Sequence, residues 1–170
     1  DGYLCWINIQ GLEIERCSNH FQERFICDES FIQNKIPLIL DWIDLQSKKL
    51  NKYKWGGTLG PNFDCSGLIQ AAFMQQNIYI PRDSYQIMSF CRHLFNFPGK
   101  IDQLQMGDLL FFGNNNVCNH IAIYFQHGIY YHSSGIECGR DGISKEKLYE
   151  SEDDDKISKY YRSKLLCAGR

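Results

Sequence analysis

The sequence predicts an α+β domain in which helices come first and an antiparallel sheet follows. Three observations carry that prediction. Apolar residues recur at helical spacing over residues 36–52, the mostly apolar run CSGLIQAAFMQQN follows a glycine-rich stretch, and the last third holds β-rich runs separated by turn residues.

Residues 1–27 open as DGYLCWINIQGLEIERC, strand-like and irregular, too short to close a sheet alone. They read as the tail of another unit, which leaves 28–170 as the main domain. In the next segment Ile36, Ile39, Leu40, Trp42, Ile43, Leu45 and Leu50 share a helical period while Lys48 and Lys49 face elsewhere, so 36–52 is expected to be an amphipathic helix. GGTLGPN then interrupts regular structure, and CSGLIQAAFMQQN is expected to be a buried helix with Cys65 at its N-terminus. Asp83, with Gln86 three residues on, has the form of a capping box that starts a helix running to about Phe95. Gly107 and Asp108 turn the chain into the strand DLLFF. VCNHIAIYF and GIYYHSS, separated by Gln126, His127 and Gly128, form a hairpin. The acidic run ESEDDD reads as a solvated loop, and YYRSKLLCAG is expected to be the last strand.

Composition narrows the function. A chain of 170 residues is long enough to bury a real core as one dominant domain. A net charge of -2 with no clustered Lys/Arg stripe lacks the electrostatic footprint that a phosphate backbone requires, so nucleic acid is not an expected partner. No apolar run approaches the roughly 20 residues needed to span a bilayer, so no membrane span is expected. The eight cysteines are scattered and include no C-x-x-C pair, which argues against structural zinc and for reduced thiols. No metal and no cofactor is expected. Reduced thiols favour a cytoplasmic location.

The chemistry centres on Cys65. A thiol attacks acyl groups as thiolate, and a free cysteine with a pKa of roughly 8.5 is mostly protonated at neutral pH. A helix N-terminus and a nearby imidazolium both lower that value. His120 lies on the strand CNHIAIYF and His132 on the next one. A turn centred near His127 would pair His132 with Ala122, which shares the face of His120, so the two rings become diagonal neighbours at roughly 7 to 8 Å between backbones. The second ring then fixes the tautomer of the first and aims its other nitrogen at sulfur. His20, His93 and His127 read as uninvolved.

These residues also carry a resemblance. YKWGG, DCSG at a helix start, PRDS, GDLLFF, NHIAIYF and HSSG resemble, in order, the NlpC family of papain-like cysteine peptidases. The opening DGYLCWI resembles the end of the bacterial SH3 domain that often precedes it, although Cys5 stands where that pattern has glycine. The resemblance implies a papain-like fold, with Cys65 as nucleophile, His120 as base and His132 as orienting residue. It also implies that Tyr53 of YKWGG helps hold the oxyanion beside the backbone N–H of Cys65. The most similar subgroup cleaves the γ-D-glutamyl-diamino acid bond of peptidoglycan stem peptides bearing a free N-terminal L-alanine. The matching substrate-binding positions are Asp64, Ser66, Asp83 and Ser84, with Asp83 the ammonium's partner or simply a helix cap. An amidase or acyltransferase on another acyl substrate, and a non-catalytic wall-peptide binding module, stay open at this point.

Overall fold

The computed structural model describes residues 10–11, 28–150 and 155–170. The expectation of an SH3 remnant over 1–27 therefore falls almost wholly outside the described residues. The elements in order are α1 (Glu29–Ser47), α2 (Cys65–Met74), α3 (Ser84–Phe90), β1 (His93–Asn96), β2 (Leu109–Asn114), β3 (Val117–Gln126), β4 (Ile129–Ser134), β5 (Gly142–Lys147), α4 (Lys156–Lys164) and β6 (Leu165–Gly169).

The six strands form one antiparallel sheet in the order β1-β6-β2-β3-β4-β5. Because side chains alternate along a strand, the sheet buries two different surfaces. One face takes α1, α2 and α3, whose Ile39, Ile43, Leu68 and Ile69 pack with Phe111, Ile121 and Ile123 of the sheet. The opposite face takes α4, where Tyr161 packs with Phe112, Ala122 and Tyr130. The fold class is as predicted: helices packed on an antiparallel sheet, with α4 as an addition on the far side. Among the described residues no helix is long and apolar enough to cross a membrane.

The hairpin between β3 and β4 closes through His127 and Gly128, both at positive φ (51° and 75°). That backbone is the tight two-residue turn whose twist suits a hairpin. It pairs Ile123 with Tyr131 and Tyr124 with Tyr130, the register expected from a turn centred on His127.

Four expectations about elements need correction. α1 begins at Glu29 rather than Ile36, because the Asp28 carboxylate accepts the Phe31 N–H at 2.7 Å and caps the helix early. It also ends at Ser47, before Leu50, and both Leu45 and Leu50 are exposed. α3 stops at Phe90, and His93–Asn96 is a strand paired with β6. The segment YYRSK is helical, not extended: Asp155, the last residue of the acidic run, caps α4 by accepting the Ser158 N–H at 2.6 Å. Finally β5, which the sequence reading passed over, completes the sheet edge beside β4.

Candidate active site

The N-terminus of α2 is built locally. Asp64 sits in extended backbone as the N-cap, and its carboxylate accepts the N–H of Gly67 at 2.7 Å and of Gly56 at 2.8 Å. Arg82 lies over the same carboxylate, with one guanidinium nitrogen 3.1 Å from Oδ1 and 2.8 Å from Ser66 Oγ. Gly67 is required by contact: a Cβ there would fall 2.0 Å from the carbonyl oxygen of Gly57. The loop GG and the helix start DCSG are thus one packed unit, with Cys65 as its first helical residue.

Cys65 is buried, and its sulfur lies by the backbone N–H groups of Ile121 and Ser66. Ile121 follows His120 on β3, so the sulfur meets the sheet next to the imidazole. Burial, and then the charge of Asp64, push the thiol up to about 11, against the two N–H groups. The expected lowering of this thiol is reversed in the free protein. Dehydration of a charged sulfur costs more here than the helix terminus returns. Burial, with His132 beside it, likewise holds His120 well below 6.5. Near neutral pH Cys65 is therefore a thiol and His120 a neutral imidazole.

The imidazole side occupies the opposite face of the sheet. His120 Nε2 lies 2.9 Å from His132 Nδ1, and the rings meet edge to face at 5.1 Å. His132 is fully buried, and its Nε2 points toward Glu146 Oε1 at 3.7 Å, longer than a hydrogen bond, with no other partner among the described residues. Glu146 comes from β5 and is itself buried. Arg140 Nε donates to it at 2.7 Å, Ser158 Oγ at 2.9 Å and Ser144 Oγ at 3.2 Å. Burial alone would raise this carboxyl, but His132 and Arg140 outweigh it and hold it below its ordinary value. Tyr161 of α4 covers both imidazoles, 4.8 Å from the ring of His120 and 4.5 Å from that of His132.

One proton arrangement suits the 2.9 Å contact between the rings and the nearby carboxylate. With a carboxylate at Glu146, His132 carries its proton on Nε2 and presents Nδ1 as an acceptor. His120 then donates from Nε2 and keeps Nδ1 free to take a proton.

Tyr53 is half-buried, and burial together with the nearby Cys65 pushes its phenol above the ordinary value, so it remains a donor. Its ring, with Trp55, His120, Glu137, Tyr161 and Lys164, lines a cleft of about 300 Å³. Among the described residues no group of three or more His, Cys, Asp or Glu is placed to hold a metal ion.

Comparison with known proteins bears on what this arrangement is. Residues 50–162 match the NlpC/P60 family. The chain belongs to that family. A dipeptidyl-peptidase 6 from Lysinibacillus sphaericus is 30% identical over 136 residues, covering 78% of this chain and 42% of that protein. A γ-D-glutamyl-L-lysine dipeptidyl-peptidase from Bacillus cereus is 34% identical over 88 residues, covering 50% of this chain and 25% of that protein. The crystal structure of an NlpC/P60 family protein from Bacillus cereus ATCC 10987 superposes with a TM-score of 0.60 at 27% identity, covering 78% of this chain and 39% of the other. The chain thus spans less than half the length of these relatives.

Within this NlpC/P60 fold the predicted site residues fall into two groups. His120 and His132 meet at 2.9 Å, and Cys65 lies near Tyr53 and the backbone N–H of Ile121, the residue after His120. Asp64, Ser66 and Ser84 are buried, with Asp64 and Ser66 turned inward to Arg82 and Ser84 beside the Cys118 thiol. Asp83 is the cap of α3, its N–H donating to Gln86 Oε1 at 3.2 Å in the capping box read from the sequence. Sequence reasoning missed Glu146, Arg140, Tyr161 and Arg82. Arg82 alone had a usable signal, since an arginine within a largely apolar stretch, beside a motif carboxylate, needs a partner.

Proposed function

We propose that this NlpC/P60 domain is a cysteine endopeptidase that hydrolyses the γ-D-glutamyl-diamino acid bond of peptidoglycan stem peptides through a Cys65 thioester. The observation that carries the reading is the hydrogen bond of 2.9 Å between His120 and His132, on the strand whose next residue offers its N–H to the Cys65 sulfur. In that arrangement His120 Nδ1 takes the thiol proton as sulfur attacks the acyl carbon, so thiolate forms only as it is consumed. The Tyr53 hydroxyl and the N–H of Cys65 then face the oxyanion. The new imidazolium gives its proton to the leaving amine, and water, deprotonated by the same ring, cleaves the thioester. Glu146 stabilises the transient positive charge through His132. The name of the γ-D-glutamyl-L-lysine dipeptidyl-peptidase relative supports the bond, and recognition of a free N-terminal amine falls to Asp83, a residue less buried than Asp64.

The test is a digest of L-Ala-γ-D-Glu-L-Lys and of the same peptide acetylated at its N-terminus, with products identified by mass spectrometry. The expected products are L-Ala-γ-D-Glu and lysine, with a large loss on acetylation, and Cys65→Ala should lower kcat by at least about 10³-fold. Cleavage at any other bond, or full activity in the alanine variant, overturns the reading.

A further inference from the structure

The cleft beside His120 contains two opposite charges that have no ion-pair partner among the described residues. Glu137 is exposed in the 3-10 turn that follows β4, and its carboxylate folds back over Gly135, within 2.2 Å of where a Cβ on that glycine would stand. Among the described residues it makes no hydrogen bond or salt bridge. Lys164 ends α4 and is half-buried. Its ammonium is held by neutral groups, Asn114 Oδ1 at 2.7 Å and the ring of Tyr160 at 5.8 Å. The two charges line the same cleft of about 300 Å³ yet do not pair with each other. A solvated surface charge is the ordinary state of a glutamate or lysine. Here, however, Asn114 and Tyr160 hold the lysine at the cleft wall while the anion stands apart from it, an arrangement complementary to a ligand that bears both signs.

Which half of the substrate enters follows from the chemistry. His120 and Tyr53, assigned above to the leaving nitrogen and to the oxyanion of the scissile carbon, line this cleft and Cys65 does not. The imidazole that protonates the leaving nitrogen has to touch the leaving fragment, whereas the acyl fragment is tied to sulfur. From this we infer that the cleft is the leaving-group subsite and that it selects a zwitterionic diamino acid, with Lys164 binding its carboxylate and Glu137 its side-chain ammonium. The inference rests on the endopeptidase reading above and names which fragment that enzyme releases: a diamino acid with a free side-chain amine and a free carboxylate, rather than one that is cross-linked or amidated.

The experiment measures kcat/KM for three peptides, L-Ala-γ-D-Glu followed by L-Lys, by Nε-acetyl-L-Lys or by L-lysinamide, with the wild type, Glu137→Gln and Lys164→Met. Each charge-assisted contact corresponds to about a tenfold preference. The wild type should therefore favour L-Lys over each modified peptide by about that factor. Glu137→Gln should erase the preference against acetylation and keep the preference against the amide, and Lys164→Met should do the reverse. Preferences that persist unchanged in both variants, while all three proteins cut the γ-D-glutamyl bond, overturn the subsite and leave the endopeptidase standing. A wild type that cuts none of the three peptides overturns the endopeptidase and the subsite together.

Discussion

The sulfur and the imidazoles of this site are held on opposite faces of one sheet, by devices of opposite kind. Cys65 owes its position to neighbours in sequence: a cap one residue before it, a glycine two residues after it, and the glycine loop packed against both. His120 and His132 owe theirs to groups from β5, α4 and the loop that carries Arg140, all fixed only when the sheet closes. A cysteine at a helix terminus can be encoded in four adjacent residues. A buried imidazole pair requires a polar network drawn from several elements.

The comparison is broken most severely on the sulfur side at Asp64→Ala. That change removes the cap of α2 and strands the buried guanidinium of Arg82, whose side chain is only 11% exposed. Breaking a buried pair from one side costs about 3–5 kcal/mol. For a domain of this size that lowers Tm by about 10 °C. Thermal unfolding checks it, and a loss under about 1 kcal/mol would mean that the pair is hydrated and the local device is weaker than its geometry.

On the imidazole side the corresponding change is Glu146→Gln. The amide keeps the shape and can still accept from Arg140, so a stability loss of about 2 kcal/mol is expected. The catalytic effect should be about tenfold on kcat with KM nearly constant, because the side chain acts through His132 and not on substrate. A further readout separates positioning from mere packing. The Glu146 carboxylate raises the affinity of His132 for a proton, so its removal should move the acid limb of the rate profile to lower pH. A Gln variant with an unmoved limb would reduce Glu146 to a structural residue.

The two sides also titrate at opposite ends of the pH range. The folded Cys65 thiol, at about 11, lies above its unfolded value near 9, so its contribution is complete below pH 9 and is lost as pH rises through 11. His120 and His132 lie below 6.5 in the fold, so theirs is present above pH 6.5 and is lost as pH falls. Comparing Cys65→Ala with the wild type across pH 9 to 11 should reveal a difference of about 2 kcal/mol that grows with pH. Alkylation of Cys65 by iodoacetamide should keep accelerating above pH 9. A plateau already reached by pH 6 would instead mark a thiolate paired with an imidazolium in the resting protein.

The same contrast explains what could be read from the chain. DCSG at a helix start, and two histidines one hairpin apart, follow from local signals, and both were legible together with the overall α+β class. Glu146 was not legible because GISKEK is rich in residues that disfavour strands, and its burial depends on Arg140 from the preceding loop and Ser158 from α4, beside Ser144 of its own strand. α4 was misread because the aromatic pair Tyr160-Tyr161 suits a strand equally well, and the deciding cap, Asp155, was hidden in an acidic run. The rise of the Cys65 thiol was likewise out of reach, since burial is a property of the packed domain and not of the motif.

The mildest break is Tyr161→Phe, and it asks whether the network needs the hydroxyl or only the ring. The hydroxyl lies 2.6 Å from Ser134 Oγ, buried at the end of β4, while the ring contacts both imidazoles. Phenylalanine keeps the ring contacts and leaves Ser134 with its longer contact to the Gly135 carbonyl at 3.5 Å. The loss should be about 1 kcal/mol of stability, the worth of one buried hydrogen bond. Turnover should change by less than about threefold, since no donor to either imidazole is removed. A fall of tenfold or more in kcat would move the phenol into the proton network. The imidazole side would then depend on α4 for polarity as well as for cover.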